Sequence, residues 1–398
     1  MKNLFLTRAN NSGTRRPISG FNVRVSNKIE DIGKDPLDSI SNDPFFTYGW
    51  FKTLEVSKPS KSHFLYLTVF YENSLVGFLP CSLDLASEYF VNRPYLPFMK
   101  RILRVGNSLN ICRDFVLMCY SPFCWRSKIL FKDNSDRELI VELLSRKIED
   151  ICRKEKILFS SFEYISERDD FLISNLQNHG YLKFPWRGNT LYLPIDWLTF
   201  KDYLSSLTQN GRKAVRRDIK KCVENGVELF EAPDFEKLSE KLSSFYSNLF
   251  NKYNKGQKSP YTPYFFEVLS KYSKEKVKVF VARKEGKLVG FSLLMRHRQI
   301  VDAFLTGYDY SSQTPTDYTY FNLVFYEPIK WAIKTQAERI NYRIGAEEAK
   351  LRRGCKEERV FSLVKCHNNN INFIFSAYAI QKNRFLFKKS GINIADKH

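Results

Sequence analysis

Two stretches of this 398-residue chain crowd ionisable side chains at spacings that chemistry could use. The first is Gly211-Arg212-Lys213-Ala214-Val215-Arg216-Arg217-Asp218-Ile219-Lys220-Lys221-Cys222-Val223, closed by Asn225-Gly226 as a helix C-terminal signal. On a helix, Arg212, Arg216 and Lys220 stack at i, i+4 and i+8, while Lys213, Arg217 and Lys221 form the neighbouring row. Val215, Ile219, Cys222 and Val223 supply the apolar stripe that such a helix would bury. Like charges at i,i+4 repel by a few tenths of a kcal/mol per pair, and only Asp218 relieves them locally, so a polyphosphate partner would offset the cost. The alternative is a solvated helix face.

The second stretch is Gly345-Ala346-Glu347-Glu348-Ala349-Lys350-Leu351-Arg352-Arg353-Gly354, directly after the predicted strand Arg339 to Ile344. Glycine-bounded charged loops at strand ends are where α/β folds place ligand contacts. Lys350 and Arg353 could hold a phosphate or a developing oxyanion, and Glu347 or Glu348 could move a proton. The alternative is a surface loop whose charges pair among themselves. None of the five histidines sits in a Ser/His/Asp or metal-ligand spacing, and neither a P-loop nor Gly-x-Gly-x-x-Gly occurs. Trp50, Trp186 and Trp331 lie on apolar patterns and are expected to pack in cores.

The elements that must position these residues follow a repeated order. Asp43-Pro44-Phe45-Phe46 opens a helix, and Phe64 to Tyr71 and Ser74 to Leu85 read as a hairpin around Glu72-Asn73. Later, Tyr261-Thr262-Pro263-Tyr264-Phe265-Phe266 opens a helix, and Val277 to Arg283 and Lys287 to Met295 read as a hairpin around Glu285-Gly286. The two hairpins share Leu75-Val76-Gly77-Phe78 and Leu288-Val289-Gly290-Phe291, offset by 213 residues. Each half continues with a helix and a strand: Arg137 to Lys154 into Ile157 to Tyr164, and Tyr320 to Lys334 into Arg339 to Ile344. The pattern predicts a duplicated α/β domain with a mixed sheet. A loose lead-in is expected over residues 1–40, a first domain over 41–190 and a second over 191–398. Thr199-Phe200-Lys201-Asp202 is a capping box that starts a new helix after the boundary.

Composition sets limits on the rest. With 43% apolar residues, 34 Phe and 22 Tyr there is ample material for packed cores. The eight cysteines form no Cys-x-x-Cys pair, so neither a zinc site nor a disulfide framework is signalled. Without a signal-peptide core or an apolar run of spanning length, a cytoplasmic chain with no transmembrane segment is expected. Of the formal net charge of +20, residues from Leu191 onward carry +14, so the second half dominates attraction to polyanions.

At these residues the chain resembles the FemAB-like branch of the GNAT acyltransferase superfamily, whose members are described as related to peptidoglycan biosynthesis. The resemblance spans about Asp43 to Lys365. Its carriers are Asp43-Pro44-Phe45-Phe46 with Trp50, the link Trp186 to Leu191 into Tyr203-Leu204, the basic run Arg212-Lys213 to Arg216-Arg217, and Gly345-Ala346 through Lys350-Leu351 to Arg353-Gly354. In that family the last segment reads Gly-Ala, a short polar stretch, then Lys-Leu-x-Arg-Gly. This sequence is one residue shorter before Lys350 and has Cys355 where an aromatic residue is usual, which leaves the roles of Glu347 and Glu348 open.

The resemblance implies tandem GNAT-like domains, no covalent cofactor, and transfer of an acyl or aminoacyl group from an activated donor to an amine acceptor. Fem-type enzymes use aminoacyl-tRNA and a cell-wall precursor amine. Acetyl-CoA-dependent relatives cradle pyrophosphate in a glycine-bearing loop before a helix. Here the equivalent stretch, Tyr308 to Asp317, contains no glycine, which argues against standard CoA gripping. The expected catalytic set is Lys350, Arg353, Glu347, Glu348 and Asp309, and the expected substrate contacts are Arg212, Lys213, Arg216, Arg217, Lys220, Gly345, Gly354 and Tyr308. Removing Lys350 or Arg353 is expected to abolish transfer and leave stability nearly unchanged. Acyl-CoA or acyl carrier protein as donor, and a non-catalytic module binding RNA or an anionic membrane through the basic helix, stay open as alternatives. Sequence leaves the oligomeric state undefined.

Overall fold

The structure, a computed structural model, describes residues 19–389 except 86–92, 94, 110–111, 125, 187, 255 and 312–317. Among these described residues fifteen strands form two mixed sheets. The first sheet draws on β1 (Phe21–Ser26), β2 (His63–Tyr71), β3 (Ser74–Leu85), β4 (Phe115–Met118), β5 (Leu130–Phe131), β6 (Phe159–Ser166) and β7 (Leu182–Pro185). The second draws on β8 (Thr190–Pro194), β9 (Val227–Glu231), β10 (Val277–Lys284), β11 (Lys287–His297), β12 (Ile300–Tyr308), β13 (Arg339–Arg343) and β14 (Lys356–Glu358). The last strand, β15 (Val360–Cys366), returns to the first sheet between β6 and β7.

The two sheets have one plan. The first runs β1-β2-β3-β4-β6-β15-β7, with β5 beside β3, and the second, read from its other edge, runs β9-β10-β11-β12-β13-β8-β14. At corresponding places each has a single parallel pair, β4 with β6 and β12 with β13. The hairpins expected from the shared Leu-Val-Gly-Phe sequence occupy matching positions, and their bulges, between Val69 and Phe70 and between Ala282 and Arg283, are themselves 213 residues apart. Both turns place a residue in the left-handed region, Glu72 at φ 53° and Glu285 at φ 50° followed by Gly286 at φ 74°, as tight hairpins of right-twisted strands require.

The plan also includes an exchange. The strand after β7 crosses into the second sheet as β8, and the strand after β14 crosses into the first as β15. Two consecutive stretches of chain therefore do not each complete a sheet. Residues 21–40, expected within a loose lead-in, form edge strand β1, paired along its whole length with β2, and helix α1 (Lys34–Ile40).

One aromatic core joins the halves. Asp43 caps the turn Pro44–Phe46, and Thr47 caps α2 (Tyr48–Ser57), so the expected helix start is split into a 3-10 turn and a separate helix. Phe45 and Trp50, fully buried, lie 5.1 and 5.4 Å from Phe304 of β12, while Trp50 Nε1 donates to Ser121 Oγ at 3.1 Å. The remaining helices of the first half are α3 (Leu96–Ser108), α4 (Arg137–Lys154) and α5 (Asp170–Asn178). In the second half α6 (Phe200–Ser206) starts on the expected capping box, followed by α7 (Gln209–Glu224), α8 (Ser239–Tyr253) and α9 (Pro263–Ser273). No helix among the described residues is long and apolar enough to cross a membrane.

Candidate functional site

The parallel strands β12 and β13 pair only over Ile300–Asp302 and Arg339–Asn341 and then part. Beyond that point the helix that connects them is broken into α10 (Thr319–Phe321), a π turn over Asn322–Tyr326 and α11 (Glu327–Lys334). Parting parallel strands leave a crevice at their C-terminal ends, where backbone groups lack sheet partners and a ligand can be met. The loop after β13 lies at this end. Arg343, Gly345 and Ala346 all have positive φ (61°, 92° and 49°), which swings the chain out of the strand and into α12 (Glu347–Leu351).

The two stretches singled out by their charge meet here. Arg353 is 7% exposed; its Nη2 donates to Asp218 Oδ2 of α7 at 3.0 Å, Nε to the Tyr326 hydroxyl at 3.1 Å and Nη1 to the Ala349 carbonyl at 2.8 Å. Its guanidinium also lies 3.8 Å from the centre of the Phe321 ring. The Tyr326 hydroxyl donates to Asp218 Oδ2 at 2.7 Å, and Arg217 donates to Asp218 Oδ1 at 2.9 Å. Asn322 Nδ2 donates to the Asp218 carbonyl at 3.1 Å, so both ends of the π turn are fastened to α7. Mid-helix π turns recur at functional sites because they re-aim side chains without ending the helix.

Asp218 is wholly buried, and Val223, expected in the buried stripe, is 69% exposed. The inward face of α7 is thus Val215, Asp218 and Cys222. Asp218 serves the interior instead of relieving the cationic rows outside. Lys213, Arg216, Arg217, Lys220 and Lys221 project to solvent. Glu224 accepts from Lys220 at 3.5 Å and Lys221 at 3.0 Å, and Arg212 Nη1 donates to the carbonyls of Ser205 and Leu207. Lys213 and Arg216 make no ion pair with any described residue.

Lys350 points inward. Its Nζ donates to the carbonyls of Tyr342 at 2.7 Å, Arg343 at 3.0 Å and Ile344 at 3.4 Å, spending all three donors on the strand end. Burial pulls its pKa down to about 8. Glu347 and Glu348 are exposed, Glu348 paired with Arg352. Asp309, at the mouth of the crevice, accepts from the Ser311 amide and hydroxyl at 3.1 and 2.6 Å. Tyr308 is buried, its hydroxyl accepting from Thr306 Oγ1 at 2.8 Å. Gly345 and Gly354 bound the loop with positive φ of 92° and 86°. Residues 312–317 of the glycine-free stretch lie outside the described residues. The burial of Lys350 and Arg353 reverses the expectation that their removal would leave stability unchanged, because each satisfies several buried acceptors.

Sequence reasoning missed a second polar cluster, between the sheets. Arg126 bridges Asp302 Oδ1 at 2.5 Å and Asp43 Oδ2 at 3.3 Å, and Asn341 Nδ2 donates to Asp302 Oδ2 at 3.0 Å. Arg126, Asp302 and Asn341, together with Arg343, Arg339 and Lys128, line a cavity of about 100 Å³. The cluster and the cavity draw on positions from 43 to 360, so no local spacing could have announced them. Asp218 did carry a signal, since it falls three residues after Val215 and four before Cys222, on the apolar stripe itself.

A duplicated mixed sheet with a charged loop at the ends of parting parallel strands defines a tandem acyltransferase of the GNAT type. The chain belongs to the FemAB-like family, described as peptidoglycan biosynthesis/recognition, whose model matches residues 28–392. That membership places it among the acyl- and aminoacyl-transferases. Solved structures with the same fold include FemX (12% identity, 88% of this chain and 99% of that one, TM-score 0.57). Another is a Bacteroides thetaiotaomicron protein of unknown function (12%, 86% and 100%, TM-score 0.54). A third is the C-terminal domain of an Agrobacterium fabrum protein assigned as a lysylphosphatidylglycerol synthetase (12%, 89% and 95%, TM-score 0.52). No curated protein matches the chain.

Proposed function

We propose that this chain transfers an aminoacyl group from aminoacyl-tRNA to an amine on a cell-wall precursor, at the crevice between β12 and β13. The observation that carries the reading is the coupling of α7 to the loop: the helix that presents five exposed cations outward holds Arg353 of the crevice loop through Asp218 on its inward side. A polyanionic donor lying on α7 would have its reactive end beside that loop.

In such a reaction the acceptor nitrogen attacks the ester carbon, its proton passes to a base, and the carbonyl oxygen carries negative charge until the C–O bond to the donor ribose breaks. Glu347, Glu348 and Asp309 are the carboxylates near enough to the solvent side of the crevice to take the proton. Lys350 and Arg353 are positioning residues in this scheme: they fix the loop from inside, and the surface they fix, bounded by Gly345 and Gly354, meets the substrate together with Arg212, Lys213, Arg216, Arg217 and Lys220. Tyr308, the last residue of β12, is assigned to the same substrate surface.

The test is transfer of a radiolabelled amino acid from charged tRNA, or of an acyl group from acyl-CoA or acyl carrier protein, to amine-bearing peptidoglycan precursors. Label transfer from charged tRNA, reduced by charge reversal of Lys213 and Arg216, supports the proposal. Transfer from the thioester donors alone refutes tRNA as donor, and RNA binding with no transfer from any donor leaves a non-catalytic basic module.

A further inference from the structure

Asp and Glu make up 43 of the 398 residues, yet two long stretches contain neither. Residues 89–113 carry five Lys and Arg and no acid, and residues 359–395 carry six and no acid. Far apart in sequence, they meet in the fold. The first contains α3, and the second contains α13 (Asn369–Lys389). The Phe98 ring of α3 lies 5.2 Å from that of Phe375 and 5.1 Å from that of Tyr378 on α13, centre to centre. Met99 and Leu103 of α3 and Phe375 and Ala379 of α13 are buried in one cluster with Phe159 of β6, Phe184 of β7 and Val364 of β15. The two helices therefore lie side by side on one face of the first sheet.

A helix in that position should turn a polar side outward. The outward side of α13 is instead apolar: Phe373 is 80% exposed, Ile374 and Ile380 are 57% exposed, and Ala377 between them is exposed too. At the C-terminal end of α3, Val105 and Leu109 are more than half exposed. Arg101 and Arg104 on α3 and Arg384 on α13 also face solvent. Exposed apolar patches rimmed by polar residues mark contact with a protein or a membrane.

Charge selects the cover. A second copy docked symmetrically would set these cationic helices against themselves, with no acid on either to answer them. RNA would answer the cations but gives aliphatic side chains such as Ile374, Ile380 and Val105 nothing to pack on. An anionic lipid surface meets both needs, because apolar side chains enter the acyl boundary while Lys and Arg meet the headgroups.

We propose that α3 and α13 together dock this protein on an anionic membrane surface, with Phe373, Ile374 and Ile380 entering the lipid and Arg101, Arg104 and Arg384 meeting the headgroups. The helices lie in the interface, since no helix among the described residues is long and apolar enough to span it. The docking is independent of which activated donor the crevice uses.

Flotation of the full chain with vesicles of phosphatidylcholine alone, or mixed with phosphatidylglycerol, tests the proposal. Binding to the mixed vesicles is expected, weakened about tenfold or more by Phe373→Ser with Ile374→Ser and by Arg101→Glu with Arg104→Glu. Lys213→Glu with Arg216→Glu removes the same charge from α7 and should change binding far less. No binding to the mixed vesicles, serine substitutions without effect, or equal losses from the α3 and α7 reversals overturn it. If the wild type instead self-associates and the serine variant does not, the face is an interface between copies. Should these variants fail to fold, a reporter decides the matter. All eight native cysteines are buried, so Phe373→Cys and Val105→Cys can each carry an environment-sensitive maleimide. Blue-shifted emission from both on mixed vesicles, with none from the same label at exposed Leu198→Cys, supports the docking, and no shift at either overturns it.

Discussion

Asp218 Oδ2 and Arg353 Nη2 meet at 3.0 Å although 135 residues separate them, and both groups are buried. Ion pairs in such surroundings add little relative to well-packed apolar residues, but losing one partner strands the other. Asp218→Asn is therefore expected to cost about 3 kcal/mol of stability. Arg353→Met should cost a similar amount, and the double variant clearly less than the sum of the two. Urea denaturation of the three variants measures this; strict additivity would mean that the two side chains do not share one network.

Lys350 gives a pH signature. Its folded pKa of about 8 lies below the usual lysine value of 10.5, so between these values the unfolded chain binds more protons than the folded one. The penalty of holding the ammonium inside is complete below about pH 8, and stability is expected to rise relative to Lys350→Met as pH increases towards 10.5. The ceiling on the gain is about 1.4 kcal/mol per pH unit. Parallel pH-dependent curves for the two proteins would show that Lys350 does not titrate in this range.

The cations of α7 are expected to act through phosphate contacts. Reversing Lys213 and Arg216, which pair with no described residue, should lower tRNA affinity and reduce the salt slope of binding by about 0.7 to 1 unit per lost contact. Reversing Lys58 and Lys61 in the first half should do much less. Equal effects in titrations at several salt concentrations would reduce the interaction to nonspecific attraction by net charge.

Gly49 probes the seam between the halves. A Cβ there would lie 2.2 Å from the Tyr272 carbonyl oxygen of α9, a backbone atom that cannot simply swing away. Gly49→Ala is expected to cost about 2 kcal/mol, as overpacked sites do. Because Phe45, Trp50 and Phe304 share one core, calorimetry should show both halves weakened together. Loss confined to one of two separate transitions would show that the shared core does not couple them.

Much of this was legible in the sequence because it depends on local order. The duplicated hairpins, the capping box at Thr199 and the cationic face of α7 each rest on spacing within a few residues. The failures share a cause in long-range pairing. Nothing near Val360 indicates that its strand belongs between β6 and β7, nothing near Phe21 that it pairs with Tyr71, and nothing near Lys350 that its three donors turn inward to the strand end. Asp218 was legible in principle, as an acid on an apolar stripe, but weighing it by charge alone put it outside.

The exchange of β8 and β15 sets a timetable for synthesis. Among the described residues β7 pairs with β15 and with no other strand, so the first sheet keeps an open slot beside β6 until residues 360–366 leave the ribosome. At about 5–20 residues per second, this is a wait of roughly ten to forty seconds after β7 itself emerges. Through that interval the nascent first half exposes an unpaired β6 edge, the kind of surface that chaperones hold and that neighbouring chains on one message can invade. A chain cut short before Val360 would lack a strand from its first half while retaining every strand of its second.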